Sequence, residues 1–255
     1  MGLWLPLLET DPETYSIVSS SIDNSSSRTD AMHPMPQANA MNLKSHKSVL
    51  LGTSALVCLA LAAPVMAADF VITSGTTTND GNTISTGDTV TVTGALVTTG
   101  VDIGIYTTGG TNKVTVSDAG SITTGTGAYA FGIYNLGSTN TTTVSGSITT
   151  AGYGAGGIWN NGNFNTTTVS GSIRTTDDFA AGIYNLGSNN TTTVSGSIKT
   201  EGVISHGIRN LGDDNVTTIS GTVKATGASS TALYNISGSG NSFTLNEGAT
   251  IIGDI

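Results

Sequence analysis

The chain has 255 residues, of which 34 are Gly, 10% are charged and 5% are aromatic, and its formal net charge is −9. That balance excludes an ordinary globular domain, in which about 25% of residues are charged, and it excludes collagen, because Gly does not recur at every third position. It also excludes nucleic-acid binding, which needs a basic footprint that an acidic chain with 8 Lys and Arg in total does not carry.

In chain order, residues 1–40 are polar and aperiodic, as in SSSIDNSSSRTD from Ser19 to Asp30. They are expected to be a disordered extension, or the product of a start site upstream of a true initiator at Met41. Residues 41–68, MNLKSHKSVLLGTSALVCLALAAPVMAA, then read as a signal peptide. Lys44 and Lys47 give the positive n-region, Val49 to Ala63 the apolar h-region, and Pro64 breaks the helix before small residues that predict cleavage after Ala67 or Ala68. The apolar run is shorter than the ~20 residues of a membrane span. Val57 before Cys58 argues against lipidation. Cys58 is the only Cys, so a processed chain holds no disulfide, which suits a protein that crosses an outer membrane unfolded.

From residue 69 the sequence repeats. VSGSI occurs at Val144–Ile148, Val169–Ile173 and Val194–Ile198, and ISGTV follows at Ile219–Val223, with a spacing of 25 residues each time. A second marker keeps the same period: GIYN at Gly132, GIWN at Gly157, GIYN at Gly182, GIRN at Gly207 and ALYN at Ala232. Degenerate copies extend the series to Thr89–Gly100, to Gly104–Thr124 with a small insertion, and to Phe243–Ile252. Two markers locked to one period define an all-β chain: residues 69–255 as a single parallel β-helix (β-solenoid) of about 25-residue coils. Each copy is expected to hold three strands, Thr142–Ser145, Ser147–Thr150 and Ala155–Trp159, with Asn160-Asn161-Gly162 turning the chain. About seven coils give a rod on the order of 35 Å at the ~4.8 Å strand spacing.

Period-2 alternation points Val144, Ile148 and Ile158 inward and Thr143 and Trp159 outward. Copies then stack in columns: Val144, Val169, Val194 and Ile219; Ile148, Ile173, Ile198 and Val223; Ile133, Ile158, Ile183, Ile208 and Leu233. Asn135, Asn160, Asn185, Asn210 and Asn235 form an unbroken structural column, expected at a corner, where stacked amides bond along the axis and cap turn groups. Gly137, Gly162, Gly187 and Gly212 follow two residues later, where positive φ is expected.

These coils, rich in Thr, Ser, Gly and Asn, together with the Cys-free mature part and the closing LNEGATIIGDI, resemble autotransporter passenger domains. The resemblance covers the signal segment and residues 69–255. It implies a right-handed β-helix displayed on, or shed from, a Gram-negative outer membrane, and a translocator barrel. The sequence reaches Ile255 without barrel strands, so a truncated or split product or a passenger fragment is expected, with the outer-membrane translocator barrel encoded separately if present. Without a translocator the expected location is periplasmic. The implied role is non-catalytic, a stalk or adhesin meeting a host-surface glycan or protein. The alternatives are a fragment of a larger autotransporter whose active region lies outside the chain, and an ice-binding or extracellular-matrix repeat protein.

No cofactor and no metal site is expected. His206 has no His or Cys partner in the repeats and reads as a solvated surface residue. Asp177-Asp178 and Asp213-Asp214 lack the Gly-Asp repeats of Ca²⁺-binding solenoids and read as solvated charge. Arg174, Lys199 and Lys224 form an outward cationic column. Thr141-x-Thr143, repeated at Thr166-x-Thr168 and Thr191-x-Thr193, could form an ice-binding grid, but Val216 interrupts it. The sequons at Asn140, Asn165, Asn190 and Asn215 read as by-products of the repeat. The outward column Tyr134, Trp159, Tyr184, Arg209 and Tyr234 is the candidate ligand-contact stripe, carried by Tyr134, Trp159, Tyr184 and Tyr234. The blander reading is that its rings stack on one another, with Arg209 over Tyr184 as a cation–π neighbour. Finally, Ile251, Ile252 and Ile255 are expected to leave an apolar C-terminal face that drives end-to-end self-association.

Overall fold

The computed structural model describes residues 69–77 and 82–255. The extension expected at 1–40 and the signal peptide expected at 41–68 lie outside the described residues. Within them the chain winds into a right-handed parallel β-solenoid of about seven turns of about 25 residues, with no helix among the described residues.

One coil runs through the strands Thr141–Val144, Ser147–Thr150 and Ile158–Asn161. The next runs through Thr166–Val169, Ser172–Thr175 and Ile183–Asn185. Equivalent strands pair in parallel and in register, so that Val144 partners Val169, Ile148 partners Ile173 and Ile158 partners Ile183. The first two strand stacks form a 14-stranded sheet, because the ten-residue strand Thr89–Thr98 turns no corner and pairs with both Lys113–Val116 and Ser121–Thr123. The third stack is a separate 7-stranded sheet. The expected insertion is real: Ile105 partners Ile133, a spacing of 28 residues.

All three apolar columns are inside. Val144, Ile148 and Ile158 have no exposed surface, and neither do Val194, Ile198 and Ile208. Ile84, Val92, Leu96, Val116 and Ile122 extend the same core toward the N-terminal coils. A single coil has no core of its own, so burial of these β-branched residues is created by stacking alone.

Some boundaries differ from the sequence reading. The first strand begins at Thr141 instead of Thr142, and the third begins at Ile158 instead of Ala155. Gly154, with φ +66, turns the chain ahead of it. Asn160 and Asn161 belong to the strand instead of a turn, because the Asn160 side chain points inward and keeps the backbone extended. Positive φ occurs at Gly137 and Gly212 but not at Gly162 or Gly187. At Gly162 the constraint is close approach, since a Cβ would collide with the carbonyl of Gly137 in the coil below. In the last coil Ile252 partners Lys224 and is 42% exposed, so it takes the outward position that Arg174, Lys199 and Lys224 hold in earlier coils, while Ile251 partners Val223 and packs on the core.

Candidate functional site

Two ladders of Asn hold the coils together; the sequence reading named one of them, and placed it at a corner. The Asn135 column sits inside the third stack, at the inward position of each strand, instead of at a corner. Asn135 Nδ2 donates to Asn160 Oδ1 at 2.8 Å, Asn160 to Asn185 at 2.8 Å, and Asn185 to Asn210 at 2.9 Å. Each Nδ2 also donates across the core, to Thr142, Thr167 and Thr192 Oγ1 in turn. The column is not unbroken in strength. A register shift follows Asn210, the bond to Asn235 stretches to 3.3 Å, and Asn235 is exposed.

The corner role belongs to a second column, the Asn residues of the sequons. Asn165 Oδ1 accepts the backbone N–H of Asn140 at 2.9 Å, and Asn190, Asn215 and Asn241 serve the coil before each in the same way. Asn140, Asn165, Asn190 and Asn215 are fully buried, so these amides are structural. The signal was present in their 25-residue spacing. Immediately before them Thr139, Phe164, Asn189 and Asp214 adopt φ between 54° and 62°, a costly conformation for Thr and Phe that the adjoining ladder stabilises.

The outward face of the third stack carries the predicted aromatic stripe, and Tyr106 extends it by one coil. Ring centroids are 5.3 Å apart for Tyr106–Tyr134, 5.7 Å for Tyr134–Trp159 and 5.0 Å for Trp159–Tyr184. The Arg209 guanidinium lies over Tyr184 at 4.5 Å, a favourable quadrupole contact. Burial raises the Tyr184 phenol above its usual value, and Arg209 partly opposes that. Tyr234 stands apart from this run and stacks on His206 at 4.4 Å.

His206 is therefore not the solvated residue expected. It is 7% exposed, and its Nδ1 accepts the Thr231 N–H at 3.1 Å. Burial first, and repulsion from Arg209 second, hold its pKa below the usual value of 6.5. The acid pairs are not simply solvated either. Asp178 Oδ1 accepts the Val203 N–H at 2.7 Å and Asp213 Oδ1 the Ser239 N–H at 2.7 Å, each capping the next coil. Arg174, Lys199 and Lys224 do stack outward, and Glu201 pairs with Arg174 and Lys199. Thr141, Thr166 and Thr191 are in register and exposed, up to Val216. Among the described residues no group of three or more His, Cys, Asp or Glu is placed to hold a metal ion.

The sequence reading missed a second row of rings, on the loop beside the stripe. Tyr129, Tyr153 and Phe179 are 57%, 45% and 48% exposed and touch in sequence along the axis, at 6.2 Å and 5.1 Å. Phe131 bridges the two rows, edge-on to Trp159 at 4.5 Å and 6.5 Å from Tyr129. Between the rows lies a cleft of about 200 Å³, lined by Trp159, Tyr184, Phe179, Gly156, Ala181 and Arg209 among others. Its origin is one loop column whose residue changes in every coil: Phe131, Gly156, Ala181, His206. Phe131 and His206 fill their levels. Gly156 and Ala181 do not, and the gap is the cleft. A larger concavity of about 550 Å³ runs over the Ser–Gly corner at Ser145, Ser170 and Ser197, as an open trough.

No protein-family profile, no curated protein and no solved structure matches this chain. The class that the structure itself defines is an Asn-laddered, right-handed parallel β-solenoid with one aromatic face.

Proposed function

We propose that this chain is an exported β-helix of the autotransporter-passenger type, acting without catalysis as a stalk or adhesive surface outside the cytoplasm. The observation that carries this reading is a division of labour between inside and outside. The apolar columns and both Asn ladders repeat with little change from coil to coil, whereas the outward positions of the third stack pass from Tyr134 to Trp159 to Arg209. An invariant interior carrying a varied outer face is what a display scaffold needs. The aromatic rows place exposed apolar surface where a partner can reach it.

Export and adhesion have separate tests. Expressed with its own residues 41–68 in a Gram-negative host, the protein is expected in the extracytoplasmic fraction with its N-terminus at Ala68 or Asp69. Cytoplasmic retention with that segment intact contradicts export. Beads coated with the purified protein are expected to adhere to glycan-bearing cells more than albumin-coated beads do. Equal adherence removes the adhesive role.

A further inference from the structure

We propose that the cleft between Phe179, Trp159 and Arg209 is a binding site for one carboxylate-bearing sugar ring of an acidic glycan. The inference deepens the adhesive reading by naming its ligand class, and it rests on that reading for its biological meaning.

The walls set the first requirement. Trp159, Tyr184 and Phe179 put aromatic rings around the cleft, and the volume of about 200 Å³ holds a single sugar ring. The C–H faces of a pyranose are apolar and suit aromatic walls, while its hydroxyls point outward along the ring plane to water and to donors at the rim.

Charge sets the second. Arg209 is the cation at the cleft, and among the described residues the ion pairs join only Arg174 and Lys199 to Glu201. The nearby Asp178 carboxylate is turned to the Val203 N–H of the next coil. Arg209 has no ion pair among the described residues; its guanidinium lies over the Tyr184 ring, which leaves its charge uncompensated by a carboxylate at the cleft. Its Nε is buried and has no acceptor among the described residues, so the ligand-facing part of the group is the rest of the guanidinium that lines the cleft. A ligand carboxylate can meet the guanidinium in the planar geometry that Arg favours.

Space sets the third. Gly156 is not held to glycine by its φ, and a Cβ there would meet only Ala181 O at 3.0 Å and the edge of Phe131 at 3.5 Å. Ala181 is buried in a column where the same fold accommodates Phe131 and His206. Small residues at these two levels leave the cleft open where larger ones would close it.

The test is calorimetric titration of the full chain with a hyaluronan tetrasaccharide, which carries glucuronate, against the neutral, fully N-acetylated chitotetraose, with Trp fluorescence read in parallel in a Trp4→Phe background, where Trp159 is the one Trp left. The acidic tetrasaccharide is expected to bind saturably and shift the emission, and chitotetraose to bind more weakly. Arg209→Gln is expected to weaken acidic binding by roughly tenfold to a hundredfold, the loss that a charged hydrogen bond carries. Ala181→Phe is expected to abolish it by filling the cleft, and Arg174→Gln, outside the cleft, to leave it unchanged. Should Ala181→Phe fail to fold by circular dichroism, Arg209→Gln against Arg174→Gln decides alone. The proposal is overturned by no saturable binding, by equal affinity for chitotetraose, or by equal losses from Arg174→Gln and Arg209→Gln. Any of these leaves export untouched, and failed export leaves the binding result standing.

Discussion

Replacing Asn185 by Ala removes the acceptor of Asn160 Nδ2 and the donor to Asn210 Oδ1 and Thr192 Oγ1, all inside the core. The expected cost is about 1–3 kcal/mol, the range for buried polar groups left unpaired. Asn235→Ala is the internal control, because that amide is exposed and its ladder bond is 3.3 Å long. A urea midpoint lowered for Asn185→Ala and nearly unmoved for Asn235→Ala checks this. Equal midpoints for the two contradict an interior ladder. His206 gives a second residue-scale expectation. Its folded pKa lies below the unfolded value of 6.5, held there by burial and then by Arg209. In the window between the two values the unfolded chain binds more protons, so stability rises with pH. The stabilisation is complete above the unfolded value and is lost as pH falls through the folded one. Melting temperature is therefore expected to fall as pH drops below the unfolded value of 6.5, and His206→Gln to flatten that slope. Glu201, whose pKa is lowered from 4.5 by Lys199 first and by Arg174, titrates in a lower window and does not mask the effect.

A coil's strands show what a sequence can and cannot carry. The inward apolar columns were readable because alternation and a 25-residue spacing together fix both face and register. Their burial follows from two rules that need no further information. The Asn columns were readable as columns but not as places. Asn160 and Asn165 have the same period, and whether an amide faces the core of a strand or the corner after it depends on a boundary that shifted by up to three residues at Ile158. The αL residues Thr139 and Phe164 gave no signal at all, since neither type favours that conformation. The stripe from Tyr134 to Tyr184 was legible by its period. The cleft beside it was not, because its column reads Phe131, Gly156, Ala181, His206 and repeats only in position, not in residue type. An element-scale prediction follows from the corrected role of Gly162. Gly162→Val is expected to cost roughly 1–3 kcal/mol through overpacking against the Gly137 carbonyl. Thr168→Val, at an outward position in register with Thr143 and Thr193, is expected to stay within about 0.5 kcal/mol of the parent. Thermal melts of both variants check the pair. A silent Gly162→Val would place the third-strand corner farther from its neighbour than described.

The described residues have no core apart from the stack, so the properties described above depend on one relation: through the regular coils from Tyr129 to Asn235, residue i of one coil lies beside residue i+25 of the next. The Asn ladders, the ring rows and the cleft all vanish if the coils are offset. That relation is open to a direct chemical measurement. Ser172 and Ser197 are paired across adjacent coils and both face outward. In-register parallel strands hold paired Cα atoms ~4.8 Å apart, inside the ~4.4–6.8 Å that a disulfide spans. In a Cys58→Ser background, which removes the only native thiol, Ser172→Cys with Ser197→Cys is expected to oxidise to an intramolecular disulfide. Peptide mapping should find it in nearly every molecule, with the circular dichroism unchanged. The offset pair Ser172→Cys with Ile198→Cys, whose second thiol would face the core, is expected to stay reduced. Equal oxidation of the two pairs, or none in the first, would contradict the 25-residue solenoid itself.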